Sequence, residues 1–428
     1  MHREFRVLAG AAALVALTAG SAVAQVPSTP KEMGMGGAYM GVARGYEAVF
    51  LAPGNLGLAD GPRWSIAFPQ VAVGGTLVGP EFTDIPDLID FTDIPETRQD
   101  ELLGLVPPEG TAGQFSLRAP LLAITNGGLA IGAGYAAVGQ HTLSRDLAEL
   151  LLNGYEDGRT DYSVGDTFGE RASYWDFTLG YGREVLPGLS VGATGHYLRG
   201  RTIVRSRLFE PRVLLEEQDV EVDYVGVLSR GGTGYALDVG AAYLPHPDVT
   251  LSFALSNAIA QMTWSEELYS RSLTINSDLL DNLSPVDLVN RYEASEQRLD
   301  PSSTSLRVIG AAQGLYENAV PPAVSRFGVA WKPFFRTHVA ADFHKKVTDG
   351  RLGDAWDQRF SVGLQQQLPI ISVRAGYAGA NDGGNMLSGG LSIGPLDLGV
   401  ARYQHSDIDD TRTRGWIATF GLGVEQTF

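Results

Sequence analysis

The sequence contains no cysteine, a minority of basic residues and, beyond its first 25 residues, no apolar run long enough for a spanning helix. The absence of cysteine excludes disulfides, cysteine-ligated metal sites and thiol catalysis. There are 32 lysines and arginines against 49 aspartates and glutamates, for a formal net charge of −17. Nucleic acid is therefore not expected as a partner, because binding it requires a basic surface.

Glycine is the residue in excess, with 53 among 428 residues against a usual share of about 7%. The glycines follow no Gly-X-Y period, which excludes a collagen helix. Hydrophobic residues make up 44% of the chain, enough for a folded protein rather than a disordered polyanion. The excess of glycine therefore needs a structural explanation.

The first residues have the pattern of a secretory signal peptide. Arg3 and Arg6 precede an apolar run over 7–19, and Ala22-Val23-Ala24 provides a cleavage site of small residues. The apolar run is shorter than the ~20 residues that a membrane span requires. We expect residues 1–24 to be removed on export.

The rest of the chain alternates with a period of two, which indicates β-strands. Val249, Leu251, Phe253 and Leu255, for example, are separated by small or polar residues. The second face of such segments has mostly Gly, Ala and Ser, which suits a lipid-facing exterior around a crowded interior. Fourteen segments have this pattern: 63–78, 112–124, 129–140, 171–185, 189–205, 232–244, 249–264, 322–332, 337–347, 358–368, 370–379, 386–393, 396–405 and 414–428.

The connections between these segments are alternately short and long. Outer-membrane barrels have short periplasmic turns, longer external loops and an even number of strands. The sequence therefore predicts an all-β fold, a 14-stranded antiparallel transmembrane β-barrel over 63–428, with residues 25–62 as an N-terminal plug inside it. The longest predicted external loops are 79–111, 141–170, 206–231 and 265–321, and the first of these contains nine acidic residues against one base.

The positions of charged and aromatic residues indicate which face of each predicted strand lines the lumen and which faces lipid. Strand charges fall mostly on even positions, which we predict to face the lumen: Arg118, Asp176, His196, Asp238, His338, Asp342, His344 and Arg374. The odd-numbered exceptions lie near predicted strand ends, where they can reach the interface: Arg183, Arg199, Arg201 and Lys345. Aromatic residues, among them Trp175, Trp264, Tyr403 and Trp416, are predicted to form two girdles.

Residues 34–58 carry a family resemblance. Gly34, Gly36, Gly37 and Ala38 match a G-M-G-G-A stretch, and Phe50, Pro53 and Leu56 match a later aromatic–Pro–Leu pattern, with Asn55 displaced from its usual place. The segment resembles the N-terminal hatch of the FadL-like outer-membrane proteins, the long-chain fatty-acid transporter family. The same superfamily includes the shuttle barrel of type IX secretion. The chain ends on Phe428 of an alternating strand, which resembles the signal read by the barrel assembly machinery.

Two further local patterns bear on structure. Ser284 and Pro285 form a helix-start signal within the longest predicted loop. Gly132, Gly134 and Gly139 lie in the third predicted strand and are expected to weaken its pairing, which would open the wall there.

Enzymatic chemistry is not predicted. Ser190 sits in a G-x-S-x-G match, but a turn precedes it and a strand follows, whereas a nucleophile elbow needs a strand before it and a helix after it. The histidines show no metal-ligand spacing, so neither a metal nor a cofactor is expected.

The resemblance implies passive uptake of hydrophobic small molecules, such as long-chain fatty acids, through a plugged barrel in the bacterial outer membrane. Its expected partners are outer-membrane lipid, a hydrophobic ligand and the assembly machinery. The alternative is a secretion-associated barrel that binds client proteins by its external loops around a purely structural plug.

Overall fold

The computed structural model describes residues 29–78, 100–153 except 102, 105 and 109, 162–163, 167–208, 212–214, 219–275, 285–299, 308, 319–348 except 335, 350, 352, 357–381, 383–406 and 412–426. The predicted signal peptide, most of the acidic loop and Phe428 lie outside the described residues.

The described chain forms 18 strands, numbered in chain order. They are β1 (Trp64–Val78), β2 (Thr111–Asn126), β3 (Leu129–Leu143), β4 (Phe168–Leu186), β5 (Leu189–Leu208), β6 (Arg212–Leu214), β7 (Asp219–Ser229), β8 (Gly232–His246), β9 (Val249–Thr263), β10 (Leu268–Ile275), β11 (Gln297–Arg298), β12 (Val324–Trp331), β13 (Thr337–Lys346), β14 (Gln358–Gln367), β15 (Ile371–Ala380), β16 (Asn385–Ile393), β17 (Leu396–Ser406) and β18 (Arg412–Gln426).

Fourteen of these strands form a closed antiparallel barrel. Each wall strand pairs with the next one, and β1 closes the ring by pairing with both β2 and β18. The wall consists of β1–β5, β8, β9 and β12–β18, so the predicted fold is confirmed. One end of the barrel has the short connections and the other the long ones, and we call them the short-turn end and the long-loop end.

The outer face of the wall is apolar. Phe177 on β4, Phe253 on β9 and Val400 on β17 are each roughly half exposed and point away from the lumen. Exposed apolar side chains on alternate positions of a closed barrel form a lipid-facing band. The alternation in the sequence therefore reflects a bilayer on one side of each strand.

Two aromatic residues and several strands depart from the sequence prediction. Trp264 and Tyr403 are fully buried, so the prediction that they belong to external girdles is wrong. On β14, β17 and β18 the exposed apolar residues are at even positions, such as Phe360, Val400 and Phe420, and the inward residues are at odd ones. The even-inward rule fails there because each connection can reset the parity of the strand that follows it.

Two predicted loops contain additional strands. Residues 206–231 include β6 and β7, and residues 265–321 include β10 and β11. The end of β5 pairs with β7, and β7 pairs with β10, so the sheet continues past the barrel at the long-loop end. A helix over Pro285–Ala294 begins at the predicted proline.

Residues 29–58 lie inside the barrel, and we call them the luminal segment. It contains helix α1 (Pro30–Gly34), one 3₁₀ turn over Gly45–Glu47, helix α2 (Ala48–Leu51) and a second 3₁₀ turn over Pro53–Gly57. Two further helices at the long-loop end are α3 (Arg145–Asn153) and α4 (Pro285–Ala294). None of the described helices has the length and apolar composition to cross a membrane.

Candidate functional site in the barrel lumen

Glycines let the luminal segment touch the wall backbone. Gly36 has φ +68°, and a Cβ added to it would lie 2.7 Å from the Tyr377 backbone nitrogen. On the wall side, a Cβ on Gly376 would overlap the backbone carbonyl carbon of Met35. Backbone packs directly on backbone here, which only glycine permits. Part of the glycine excess is thus explained by contact between the segment and the wall.

One wall carboxylate binds the turn that follows the glycines. Asp342 on β13 accepts hydrogen bonds from the backbone nitrogens of Tyr39 at 2.8 Å and Met40 at 2.9 Å. The side chain of Asp342 is 1% exposed. Two hydrogen bonds to one buried carboxyl group make Asp342 a principal anchor of the segment.

Asn55 forms a second anchor. Its amide nitrogen donates to the carbonyls of Met40 at 2.7 Å and Ala43 at 2.9 Å, and its oxygen accepts from Ser252 Oγ at 2.8 Å. Ser190 Oγ donates to the Gly54 carbonyl at 2.6 Å, which gives the serine of the G-x-S-x-G match a structural role. The segment is therefore bound to β5, β9 and β13, which lie on one side of the wall.

A buried charge network stabilises the interior of the segment. Glu47 accepts from the Tyr39 hydroxyl at 2.8 Å and pairs with Lys31 Nζ at 2.9 Å. Burial alone would lower the pKa of Lys31, but Glu47 together with Tyr46, Tyr39 and Glu425 outweighs it, and the pKa is raised well above its ordinary value. Lys31 therefore stays charged and holds α1 to the 3₁₀ turn.

An exposed ion pair holds the segment at the short-turn end. Arg44 binds Asp60 through two contacts of 2.8 and 2.9 Å, and Lys332 Nζ lies 3.6 Å from the same carboxylate. Partial burial would raise the pKa of Asp60, but Arg44 and Lys332 lower it below 3.8. Asp60 is therefore ionised at neutral pH.

Above the luminal segment, toward the long-loop end, lies a belt of inward polar residues. His196 bridges Asp176, with Nδ1–Oδ1 at 3.0 Å, and Asp238, with Nε2–Oδ2 at 3.5 Å. Between strands β14 and β13, Arg359 Nη2 lies 2.7 Å from His344 Nδ1. This belt separates the segment from the long-loop end of the lumen.

The other predicted lumen residues lie at various depths. Arg374 donates to Gln365 Oε1 and Ser392 Oγ, both at 2.6 Å, beside Gly34. Arg118 is half-buried on β2, and His338 is half-buried near the short-turn end of β13. These residues line the lumen but form no single constellation.

The remaining predicted hatch residues are packing positions. Ala38 is fully buried among residues of the segment and the wall, and Gly37 lies against the Arg359 guanidinium. Leu56 packs with Ala130 of β3, and Phe50 borders the same cluster. Pro53 begins the second 3₁₀ turn, which approaches the backbone of β5.

The lumen at the long-loop end is apolar. A cluster of buried residues from five barrel strands, from β7 and from the segments between strands fills it, and we call it the mouth cluster: Ala136, Ala172, Tyr174, Leu198, Ile203, Val227, Ala236, Met262, Trp264, Ala319 and Leu352. Trp264 Nε1 donates to the Ala319 carbonyl at 3.1 Å, which satisfies its only donor. An apolar lumen of this kind differs from the polar interior of a water-filled porin.

The wall is interrupted at β9 rather than at the third strand. β3 pairs continuously with β4 and, apart from one bulge at Pro120, with β2, so the prediction of weakened pairing at its glycines is wrong. On β9 the pairing with β12 ends at Ser256, and three residues of β9 bulge opposite Asp238. Asn257 adopts φ +52°, and its backbone nitrogen donates to Asp238 at 2.6 Å.

Sequence reasoning missed Arg326, Arg359 and the network of Lys31 and Glu47. Arg326 lies at an even position of β12 and could have been found by the parity that identified Asp342. Arg359 lies at an odd position of β14, where the parity is reversed. Within the described residues, no group of three or more histidines, aspartates or glutamates is arranged to hold a metal ion.

Comparison with solved structures identifies similar folds. A Pseudomonas aeruginosa FadL homologue matches at TM-score 0.52 and 12% identity, covering 94% of this chain and all of its own. The toluene transporter TbuX of Ralstonia pickettii matches at 0.52 and 14%, over 93% of this chain and 98% of its own. The Pseudomonas putida toluene transporter TodX matches at 0.53 and 11%, over 96% and 100%. At these identities the likeness shows a shared fold.

Comparison of the sequence itself gives no match. No protein-family model and no curated protein matches this chain.

Proposed function

We propose that this chain is a bacterial outer-membrane channel for the passive uptake of hydrophobic small molecules, such as long-chain fatty acids. The mouth cluster is the observation that carries the proposal, because it places apolar side chains inside the lumen, where a hydrophilic solute would gain nothing. A hydrophobic molecule that leaves the water would gain about 25 cal/mol for each Å² of apolar area buried there.

The similar structures support uptake of hydrophobic molecules. Two are named as toluene transporters and one as a FadL homologue, and all three cover nearly the whole chain. No observation favours the secretion-shuttle alternative. The long-loop end would face outward and receive the ligand, and the short-turn end would face the periplasm.

Passage requires the luminal segment to shift, since it lies inside the barrel and is anchored to β13 through Asp342 and to β9 through Asn55. The interruption at β9 is the place where the wall itself is least closed, because residues 257–263 lack a partner on β12. We infer that a ligand released from the mouth cluster leaves toward this part of the wall or past a displaced segment.

The proposal is tested by uptake into cells that lack their own transporter. Cells expressing the chain and cells with an empty vector receive radiolabelled oleate, radiolabelled toluene or labelled glucose, and initial rates are compared. Faster entry of a hydrophobic compound, with glucose entry unchanged, supports the proposal. If the barrel is correctly inserted and neither oleate nor toluene enters expressing cells faster than empty-vector cells, the proposal is overturned.

A further inference from the structure

The outer face of β4 and β5 changes character toward the long-loop end. Tyr135 on β3 and Trp175 on β4 meet edge to face, with ring centroids 5.2 Å apart. One step nearer the short-turn end, Tyr197 lies between Phe177 and Tyr235 in the register of the sheet. Aromatic rings grouped in this way mark the interface between hydrocarbon and headgroups.

Three arginines lie at or just beyond these rings. Arg199 is the register partner of Trp175, and Arg201 is an extra residue inserted opposite the Ser173–Tyr174 step. Arg171 follows on β4, and both Arg171 and Arg201 are exposed. We call Arg171, Arg199 and Arg201 the arginine patch.

Among the described residues, only Arg199 of the patch has an acidic partner. Arg199 binds Glu266 through both carboxylate oxygens, at 2.7 and 2.8 Å. Glu266 lies between β9 and β10, so it reaches the patch from the side. Arg171 and Arg201 are exposed and lie beyond the aromatic rings toward the long-loop end.

The exposed charged residues on the outer face at this end of the barrel have one sign. In the described wall strands, the exposed charged residues on the outer face near the long-loop end are all basic: Arg171, Arg201, Lys345 and Arg402. Arg402 also lies over the Trp416 ring, 5.8 Å from its centroid. The whole chain has a net charge of −17, so basic residues are concentrated at this interface against the overall balance.

We propose that the arginine patch binds the phosphate of an anionic lipid in the outer leaflet. A guanidinium binds phosphate through two parallel hydrogen bonds, and the acyl chains of the same lipid would lie against Trp175 and Tyr197. A free phosphate ion could not use those rings, so the occupant is a lipid. The inference rests on the proposed placement of the long-loop end outside the cell, but it does not require uptake.

The test measures lipid binding to the purified full-length barrel in detergent by native mass spectrometry. The probes are bis-phosphorylated lipid A, its dephosphorylated form and inorganic phosphate. The double variant R171Q/R201Q should bind the phosphorylated lipid about 25-fold more weakly, since each lost charge weakens binding about fivefold. The dephosphorylated lipid should bind the native chain with about that lower affinity.

Two variants make the result specific. R183Q removes an outward arginine from the short-turn end of the same strand β4 and should leave the affinity unchanged. E266Q frees Arg199 and should tighten binding severalfold. Heat-dependent gel migration verifies that each variant is a folded barrel.

Three outcomes would overturn the inference. These are equal affinity for the two forms of the lipid, an equal loss in R183Q, or displacement of the lipid by inorganic phosphate at the same concentration. Oleate uptake by the R171Q and R201Q variant is measured separately, so a failure of lipid binding can be told from a failure of the proposed function.

Discussion

The carboxylate of Asp342 lies 2.8 Å from the backbone nitrogen of Tyr39, a contact that joins residues 303 positions apart. The same oxygen accepts from Met40, so a single wall residue binds two consecutive peptide groups of the luminal segment. Any movement of the segment away from β13 must break both hydrogen bonds together.

Replacing Asp342 by alanine should loosen the luminal segment while the barrel stays closed. Two hydrogen bonds to a buried carboxylate are lost, which lowers the free energy of local opening by about 2 kcal/mol and raises the open population about 30-fold. A cysteine at the fully buried Ala38 can report this, because the chain has no cysteine of its own. Maleimide labelling of A38C should be about 30-fold faster in D342A.

The matched control for this experiment is S361A. Ser361 is the register partner of Asp342 on β14 and is equally buried, but its Oγ has no hydrogen-bond partner among the described residues. Labelling in S361A should equal that of the parent. Equal labelling in D342A and S361A would show that Asp342 does not anchor the segment.

Adding a methyl group at Gly376 should disturb the segment without harming the strand. The new Cβ would overlap the backbone of Met35, which cannot rotate away, so the segment must move. Overpacking of this kind costs about 1–3 kcal/mol. We expect G376A to melt at a lower temperature and to label faster at A38C.

Gly389 provides the comparison for Gly376. It lies on the next strand, and a Cβ there would come no nearer than 3.8 Å to the Arg374 carbonyl, which is an ordinary contact. G389A should therefore behave like the parent chain. If G376A and G389A are equally stable and equally labelled, the close backbone contact does not exist in solution.

The barrel could be predicted from the sequence because a strand that crosses lipid must alternate lipid-facing apolar residues with lumen-facing residues. All fourteen predicted wall strands are present, most with bounds within three residues. The strands β7 and β10 were missed because they extend beyond the lipid, where both faces of the sheet meet protein or water and the alternation fades.

The contacts of the luminal segment could be predicted from the sequence only in part. Glycines at 34, 36 and 37 predicted close packing, but not that Gly376 would be the partner. Asp342 was identified as inward, yet its role depends on a turn 303 residues away. Arg359 could not be found because the parity of a strand depends on the length of the connection before it, and that length is set by no physical rule of the barrel.

Acid should remove the contribution of Asp60 to stability. Because its pKa is lowered in the folded chain, ionised Asp60 stabilises the fold above its ordinary pKa of 3.8, and this contribution is lost as the pH falls through the lowered value. D60N should therefore melt below the native chain at pH 7. As the pH falls through the lowered pKa of Asp60, the two melting temperatures should converge, since residue 60 is then uncharged in both chains.

A neighbouring carboxylate serves as the control for Asp60. Asp248 lies in a short turn at the same end, next to His246 rather than a guanidinium. D248N should change the melting temperature at pH 7 much less than D60N. A difference between D60N and the native chain that persists unchanged once the pH is below the lowered pKa of Asp60 would contradict the ion-pair explanation.

The central claim, that hydrophobic molecules pass through the apolar mouth of the lumen, is tested most directly by a pair of tryptophan variants on β3. Ala136 is buried in the mouth cluster, and Ala137 is the next residue on the opposite, lipid-facing side of the strand. The measurement is the initial rate of uptake of labelled oleate and toluene by cells containing equal amounts of folded barrel. A136W should lower the rate at least tenfold and A137W should leave it unchanged, whereas equal rates in the two variants would contradict the claim.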